Sequence, residues 1–141
     1  MRLMLGCLNS SSDEPPSPPP DARPWSAKGI TPFAPDWVPL DESLQWRFFQ
    51  RTVQLLRDRG NQVFVLVGPF NEHMLTDAGR QGHDELKRVV DEWLTEQGIP
   101  HYVPPALASE QYADASHPTA EGYAALARGL IEQPSFAEFW Q

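Results

Sequence analysis

The sequence predicts an α/β protein with a three-layer α/β/α arrangement around a parallel sheet. Two observations carry this. Short apolar runs at 2–6, 63–67 and 99–103 alternate with longer stretches of helical periodicity, giving the order β-loop-α-β-α-β-α. The run Val63-Phe-Val-Leu-Val67 shows no polar alternation, as expected of a parallel strand buried on both faces. Strands separated by helices require crossover connections, which place the loops after each strand along one sheet edge.

The elements follow in chain order. Residues 2–6 read as a short apolar strand. Residues 9–40 are rich in proline and serine, so they form a long loop rather than a helix. Its Trp25, Ile30, Phe33, Trp37 and Val38 predict that it packs on the body of the domain, and loops of that length are often functional. Asp41 is placed to cap a helix over 41–59, with Leu44, Phe48, Leu55, Phe49, Val53 and Leu56 as its apolar stripe and Gly60 as its stop. A second helix over 81–97 buries Leu86, Val89, Val90, Trp93 and Leu94, and Gly98 ends it. A third, over 119–132, buries Tyr123, Leu126, Ala127 and Leu130. Phe136, Phe139 and Trp140 then fold back over apolar surface. Trp46 and Trp93 read as helix-packing aromatics.

Composition narrows the function. The 141 residues make one domain, 1–141, by the length prior. An apolar content of 40%, with five Trp and seven Phe, identifies a folding chain rather than a disordered one. The formal net charge of −8 argues against nucleic acid, whose phosphates demand clustered Lys and Arg. No apolar run approaches the roughly 20 residues of a membrane span. The single Cys7 excludes an intrachain disulfide. Met4-Leu5-Gly6-Cys7 has the shape of a lipoprotein box. The apolar region that a signal peptide needs ahead of it is absent, so a buried strand ending in a small buried cysteine is the expected reading. The compartment stays open.

The segment Asp114-Ala-Ser-His117-Pro-Thr-Ala-Glu-Gly122 carries the chemistry. A histidine acting as general base needs a partner on its second ring nitrogen, to fix the tautomer and stabilise the imidazolium. An aspartate three residues upstream in a tight loop reaches that nitrogen. The structural alternative is an ordinary loop histidine with Asp114 capping the turn. His73, His83 and His101 share no helical spacing, so no metal site is expected, and Glu72-His73 reads as a solvated loop.

Asp114, His117, Pro118, Gly122 and Leu126-Ala127 together resemble the last block of the SGNH (GDSL-type) hydrolase and acyltransferase superfamily. The resemblance implies a flavodoxin-like fold, no cofactor, and an ester or acyl substrate. His117 would shuttle the proton and Asp114 would orient it. The Gly-Asp-Ser block that opens the family's pattern is not in this sequence. The family's Gly-x-Asn-Asp block, which supplies an oxyanion asparagine, is approached twice, by Gly6-Cys-Leu-Asn9 and by Gly68-Pro-Phe-Asn71, each with one extra residue. Counting strands back from Asp114 favours Gly6 and Asn9 as the oxyanion block. The serine block would then lie upstream of Met1. The other threading makes Ser10 (or Ser11 or Ser12) the nucleophile and Asn71 the oxyanion donor, but the prolines after Ser12 deny that serine the helix start it needs. Asn71 and Asn9 also read as turn residues satisfying local backbone. The run 63–71 is similar to cell-wall and exopolysaccharide acyltransferases of the superfamily, which implies a carbohydrate O-acyl substrate. A three-stranded sheet is smaller than the family's five and leaves edges exposed, which calls for a missing N-terminal portion or a partner chain. Two functions follow as expectations: a serine esterase or O-acyltransferase in partial or degenerate form, and a non-catalytic binding remnant without the nucleophile.

Overall fold

A computed structural model describes residues 23–141. The expected first strand at 2–6, the Met4–Cys7 box and the candidate residues Gly6, Asn9 and Ser10 lie outside the described residues.

Four α-helices and one parallel strand pair make up the described fold: α1 (Leu44–Asp58), β1 (Val65–Leu66), α2 (Asp77–Glu96), β2 (His101–Tyr102), α3 (Ala120–Ile131) and α4 (Pro134–Phe139). β1 and β2 are parallel, with Val65 opposite His101 and Leu66 opposite Tyr102. The ladder is extended by Val65 N donating to Pro100 O and Val67 N donating to Tyr102 O, both at 3.0 Å. This is a helix-rich α/β architecture with a small parallel sheet.

Side chains alternate across β1, which corrects the expectation of burial on both faces. Val63, Val65 and Val67 pack on a core of Val53 from α1, Leu94 from α2 and Ile99. Phe64 points the other way, with its ring 5.2 Å from Phe136 and 5.4 Å from Phe139 of α4. Leu66, on the face of Phe64, is 39% exposed. Its other strand edge has no partner among the described residues.

Two glycines end the helices as their positions predict. Gly60 and Gly98 both adopt left-handed φ, 78° and 60°. Around Gly98 the Gly98 amide bonds Thr95 O at 3.0 Å and the Ile99 amide bonds Leu94 O at 2.9 Å. This is the paired arrangement that satisfies a helix C-terminus, and the accompanying Leu94–Ile99 apolar contact is part of the core. The Gly60 end repeats it through Arg57 O and Leu56 O.

The helix starts differ from expectation. α1 is capped by Ser43, whose hydroxyl accepts from Trp46 N at 3.2 Å. Asp41 instead lies in a turn closed by Ser43 N donating to Leu40 O at 3.1 Å. Of the α1 stripe, Val53 is buried and Phe49 packs on the core, whereas Leu44, Phe48, Leu55 and Leu56 are exposed, contrary to expectation. α2 begins at Asp77, not at 81, because Thr76 caps it by accepting from Gly79 N at 3.3 Å. Gly79 and Gly82 weaken the local helical signal. They are there for packing. Residues 33–37 cross the helix so closely that a Cβ on Gly79 would lie 3.2 Å from Phe33 O, and one on Gly82 would strike the Trp37 ring. Trp37 Nε1 donates to Gly79 O at 2.8 Å.

The later part of the proline-rich loop packs on the body through Trp25 and Trp37, whereas the side chains of Ile30, Phe33 and Val38 are exposed, contrary to expectation. Phe33 pairs with Leu75 as an isolated parallel bridge. Trp25 is buried with Met74 and Tyr112. Trp46 and Trp93 pack edge to face, 5.1 Å apart. On α3, Leu126 is buried, but Tyr123 and Ala127 face outward, contrary to expectation, because the row through Gly122 and Leu126 meets the body.

Candidate active site

Tyr112 and Pro118 form an isolated antiparallel bridge, which closes residues 113–117 into a tight loop. Thr119 N donates to Gln111 O at 2.7 Å and Ala113 N to His117 O at 2.8 Å. Thr119 then caps α3 by accepting from Gly122 N at 3.3 Å. Gly122 is needed at this junction: a Cβ there would collide with the Gln111 carbonyl oxygen and lie 2.8 Å from Pro118 Cβ.

Within this loop, the Asp114 carboxylate does two things. Its Oδ1 accepts from the amides of Ser116 and His117, both at 2.9 Å. Both of its oxygens also lie 2.9 Å from His117 Nδ1. A carboxylate only accepts, so Nδ1 carries the hydrogen, and the neutral ring presents Nε2 as an acceptor. Among the described residues no group hydrogen-bonds Nε2. The His117 and Asp114 side chains are 68% and 50% exposed, so the ring faces solvent rather than the core. Burial pushes the Asp114 carboxyl up, but the hydrogen bonds from the Ser116 and His117 amides and from the His117 ring outweigh it. They hold the group below the ordinary carboxylate range. Ser116 Oγ lies 3.4 Å from Nδ1, the nitrogen already taken by Asp114, so it is not the serine that this base would activate.

Asn71 belongs to the same assembly. Its amide N donates to Ala115 O at 2.8 Å and its Nδ2 to Asp114 O at 3.2 Å. The residue is fully buried, and its Oδ1 has no hydrogen-bond partner. The side chain is thus committed to the backbone of the Asp114–His117 loop: it positions that loop from beneath, in place of the turn-residue role. Tyr112 adds a second tie. Its buried hydroxyl donates to Phe70 O at 3.0 Å and accepts from Leu107 N at 3.2 Å, joining the loop after β1 to the loop after β2.

A second group of polar side chains sits where these two loops meet, at the C-terminal ends of both strands. The Glu72 side chain is only 14% exposed, with Oε1 3.0 Å from Lys87 Nζ and 3.6 Å from His83 Nδ1. This corrects the reading of Glu72-His73 as a solvated loop. His73 also has a partner, Leu107 O at 2.9 Å from Nε2. His83 is buried against the rings of Trp37 and Phe70, which also contact each other. Burial pushes its imidazole pKa down, more than Glu72 raises it. The signal that could have found this group is the four-residue spacing of His83 and Lys87, which puts both on one face of α2. His101 is engaged elsewhere, with Nε2 2.9 Å from Asp91 Oδ1.

No helix among the described residues is long and apolar enough to cross a membrane. Compared with family models, curated proteins and solved structures, the chain has no match.

Proposed function

We propose that this chain carries the histidine–aspartate part of an SGNH-type serine esterase or O-acyltransferase, acting on ester or acyl groups such as those of carbohydrates. The observation that carries this reading is the Asp114–His117 contact. One imidazole nitrogen is held at 2.9 Å by a carboxylate, and the other is open to solvent. In such a reaction His117 Nε2 takes the proton from a serine hydroxyl as the oxygen attacks an acyl carbonyl. It returns that proton to the leaving alcohol. Asp114 keeps the ring in the productive tautomer and stabilises the imidazolium. The loop stands beside the C-terminal ends of parallel strands, where α/β proteins place their sites. The same reading extends the sheet to a flavodoxin-like three-layer fold, completed by an N-terminal portion or a partner chain.

A second reading has its own support. Asp114 also accepts two amide hydrogen bonds, so it has a structural task that requires no catalysis. A binding domain that has lost its nucleophile would keep the pair for that reason.

Hydrolysis of p-nitrophenyl acetate separates the readings. In the partial-enzyme reading with the serine block upstream, the 141-residue chain hydrolyses it barely above background, and Ser10→Ala, Ser11→Ala and Ser12→Ala change nothing. Robust turnover abolished by both Ser10→Ala and His117→Ala would instead establish a compact hydrolase with Ser10 as nucleophile. Joining an in-frame upstream segment that carries an apolar strand and a serine should confer turnover that His117→Ala removes. Failure of every such extension leaves the binding domain.

A further inference from the structure

We propose that Glu72, His83 and Asp84 form a binding site for a divalent transition cation of the zinc type, with Lys87 as the group that the ion displaces. The three residues each offer one ligand atom, and these atoms lie within 4.8 Å of one another. Two ligands about 2.0–2.2 Å from one ion lie at most about 4.4 Å apart, so a small side-chain shift would close the set on an ion. Glu72 comes from the turn after β1, and His83 and Asp84 from α2, so the site joins two elements held by the core.

An independent observation points to a ligand. His83 is only 9% exposed, and its Nδ1, aimed at Glu72 Oε1, has no hydrogen-bond partner. Buried polar atoms without partners are rare and call for an explanation. The 3.6 Å separation from Glu72 is too long for a hydrogen bond yet suits two ligands of one ion. Glu72, His83 and Lys87, but not Asp84, line an adjoining cavity of about 10 Å³, room for about one water-sized group.

The electrostatics agree. Burial pushes the His83 pKa down, which favours the neutral form that ligates metal. Lys87 Nζ already sits 3.0 Å from Glu72 and balances its charge. Its side chain is 27% exposed, so it can swing outward when a doubly charged ion takes its place. One imidazole with two carboxylates selects zinc, cobalt or manganese over magnesium and calcium, which prefer all-oxygen shells. Asp84 is exposed, leaving the remaining coordination positions to water.

The test uses the full chain, stripped with chelator. Calorimetric titration with Zn²⁺ should show one site, and Co²⁺ should give visible absorption bands of a nitrogen- and oxygen-ligated ion, while Mg²⁺ gives no heat. His83→Ala and Glu72→Gln should each weaken Zn²⁺ binding roughly tenfold or more. His117→Ala should leave it unchanged, which separates this site from the Asp114–His117 pair. Lys87→Met should tighten binding several-fold, because the competitor for Glu72 is gone. Should His83→Ala fail to fold, the wild-type Co²⁺ spectrum and the Lys87→Met titration decide. Absence of binding, binding indifferent to His83→Ala and Glu72→Gln, or weaker binding in Lys87→Met overturns the proposal.

Discussion

His117 and His83 each stand near a carboxylate, yet the two pairs are built in opposite ways. His117 lies on the surface, and its Nδ1 is gripped at 2.9 Å by a carboxylate that the loop's own amides hold in place. His83 is buried in a cluster of aromatic rings, 3.6 Å from a carboxylate that lysine holds instead. The first arrangement fixes a tautomer and leaves a basic nitrogen accessible to a reactant. The second pushes the imidazole pKa down and leaves a nitrogen without a partner. Both hang from one short stretch, since Phe70, Asn71 and Glu72 contact Tyr112, the Asp114 loop and the His83 group in turn. Adjacent residues thus support two differently built histidine environments, one exposed and one buried.

The comparison is broken most severely by Gly122→Ala. Alanine is the better helix former by about 1 kcal/mol. The added methyl meets Gln111 backbone and Pro118, however, and overpacking of this kind costs about 3 kcal/mol. A net loss of about 2 kcal/mol in urea unfolding is expected. The Asp114–His117 loop should shift, as read from the His117 ring resonances, while those of His83 stay in place.

Tyr112→Phe acts on both sides, because its hydroxyl ties the two post-strand loops together. A loss of about 1–1.5 kcal/mol is expected, with both histidine resonances perturbed. If only one moved, the shared anchor would be refuted. Asn71→Ala should cost about 1 kcal/mol, since the lost bond to Asp114 O is partly offset by removing the unpartnered Oδ1. It should loosen the His117 side alone. A Zn²⁺ titration curve superposable on wild type would support that separation.

Local chemistry is what the sequence made legible. Gly60, Gly98 and Thr119 mark helix ends through backbone requirements that depend on immediate neighbours, and all three hold. Asp114 and His117 are three residues apart, so their contact is also a local matter. What was hidden depends on distant chain. The start of α2 was obscured by Gly79 and Gly82, whose purpose appears only when residues 33–37 cross them. Asn71 reads as a turn residue until it meets Asp114 O, 43 positions away. Glu72 looks solvated until α2 brings His83 and Lys87 over it. The outward face of α1 shows the converse: Leu44 and Phe48 carry a core-like pattern, and no described element covers them.

The smallest effect tests whether Asp114 acts as a charge. Its carboxyl is held below the ordinary range in the folded chain by the Ser116 and His117 donors. The unfolded chain therefore takes up a proton at a higher pH than the folded one, and stability falls as the pH drops through the ordinary carboxylate range toward the lower folded value. Asp114→Asn keeps an acceptor oxygen for the two amides but carries no charge to lose. The difference in unfolding free energy between wild type and Asp114→Asn should be greatest near pH 7 and shrink toward zero as the folded carboxyl protonates. Because the side chain is half exposed, solvent screens the interaction and the difference stays under about 1 kcal/mol. Thermal melts of both proteins between neutral pH and the acid limb would measure it. A difference that stays constant across that window would mean that Asp114 serves only as a hydrogen-bond acceptor for the turn. The case for an oriented general base at His117 would weaken accordingly, while the zinc-site assignment at His83, which rests on other residues, would stand.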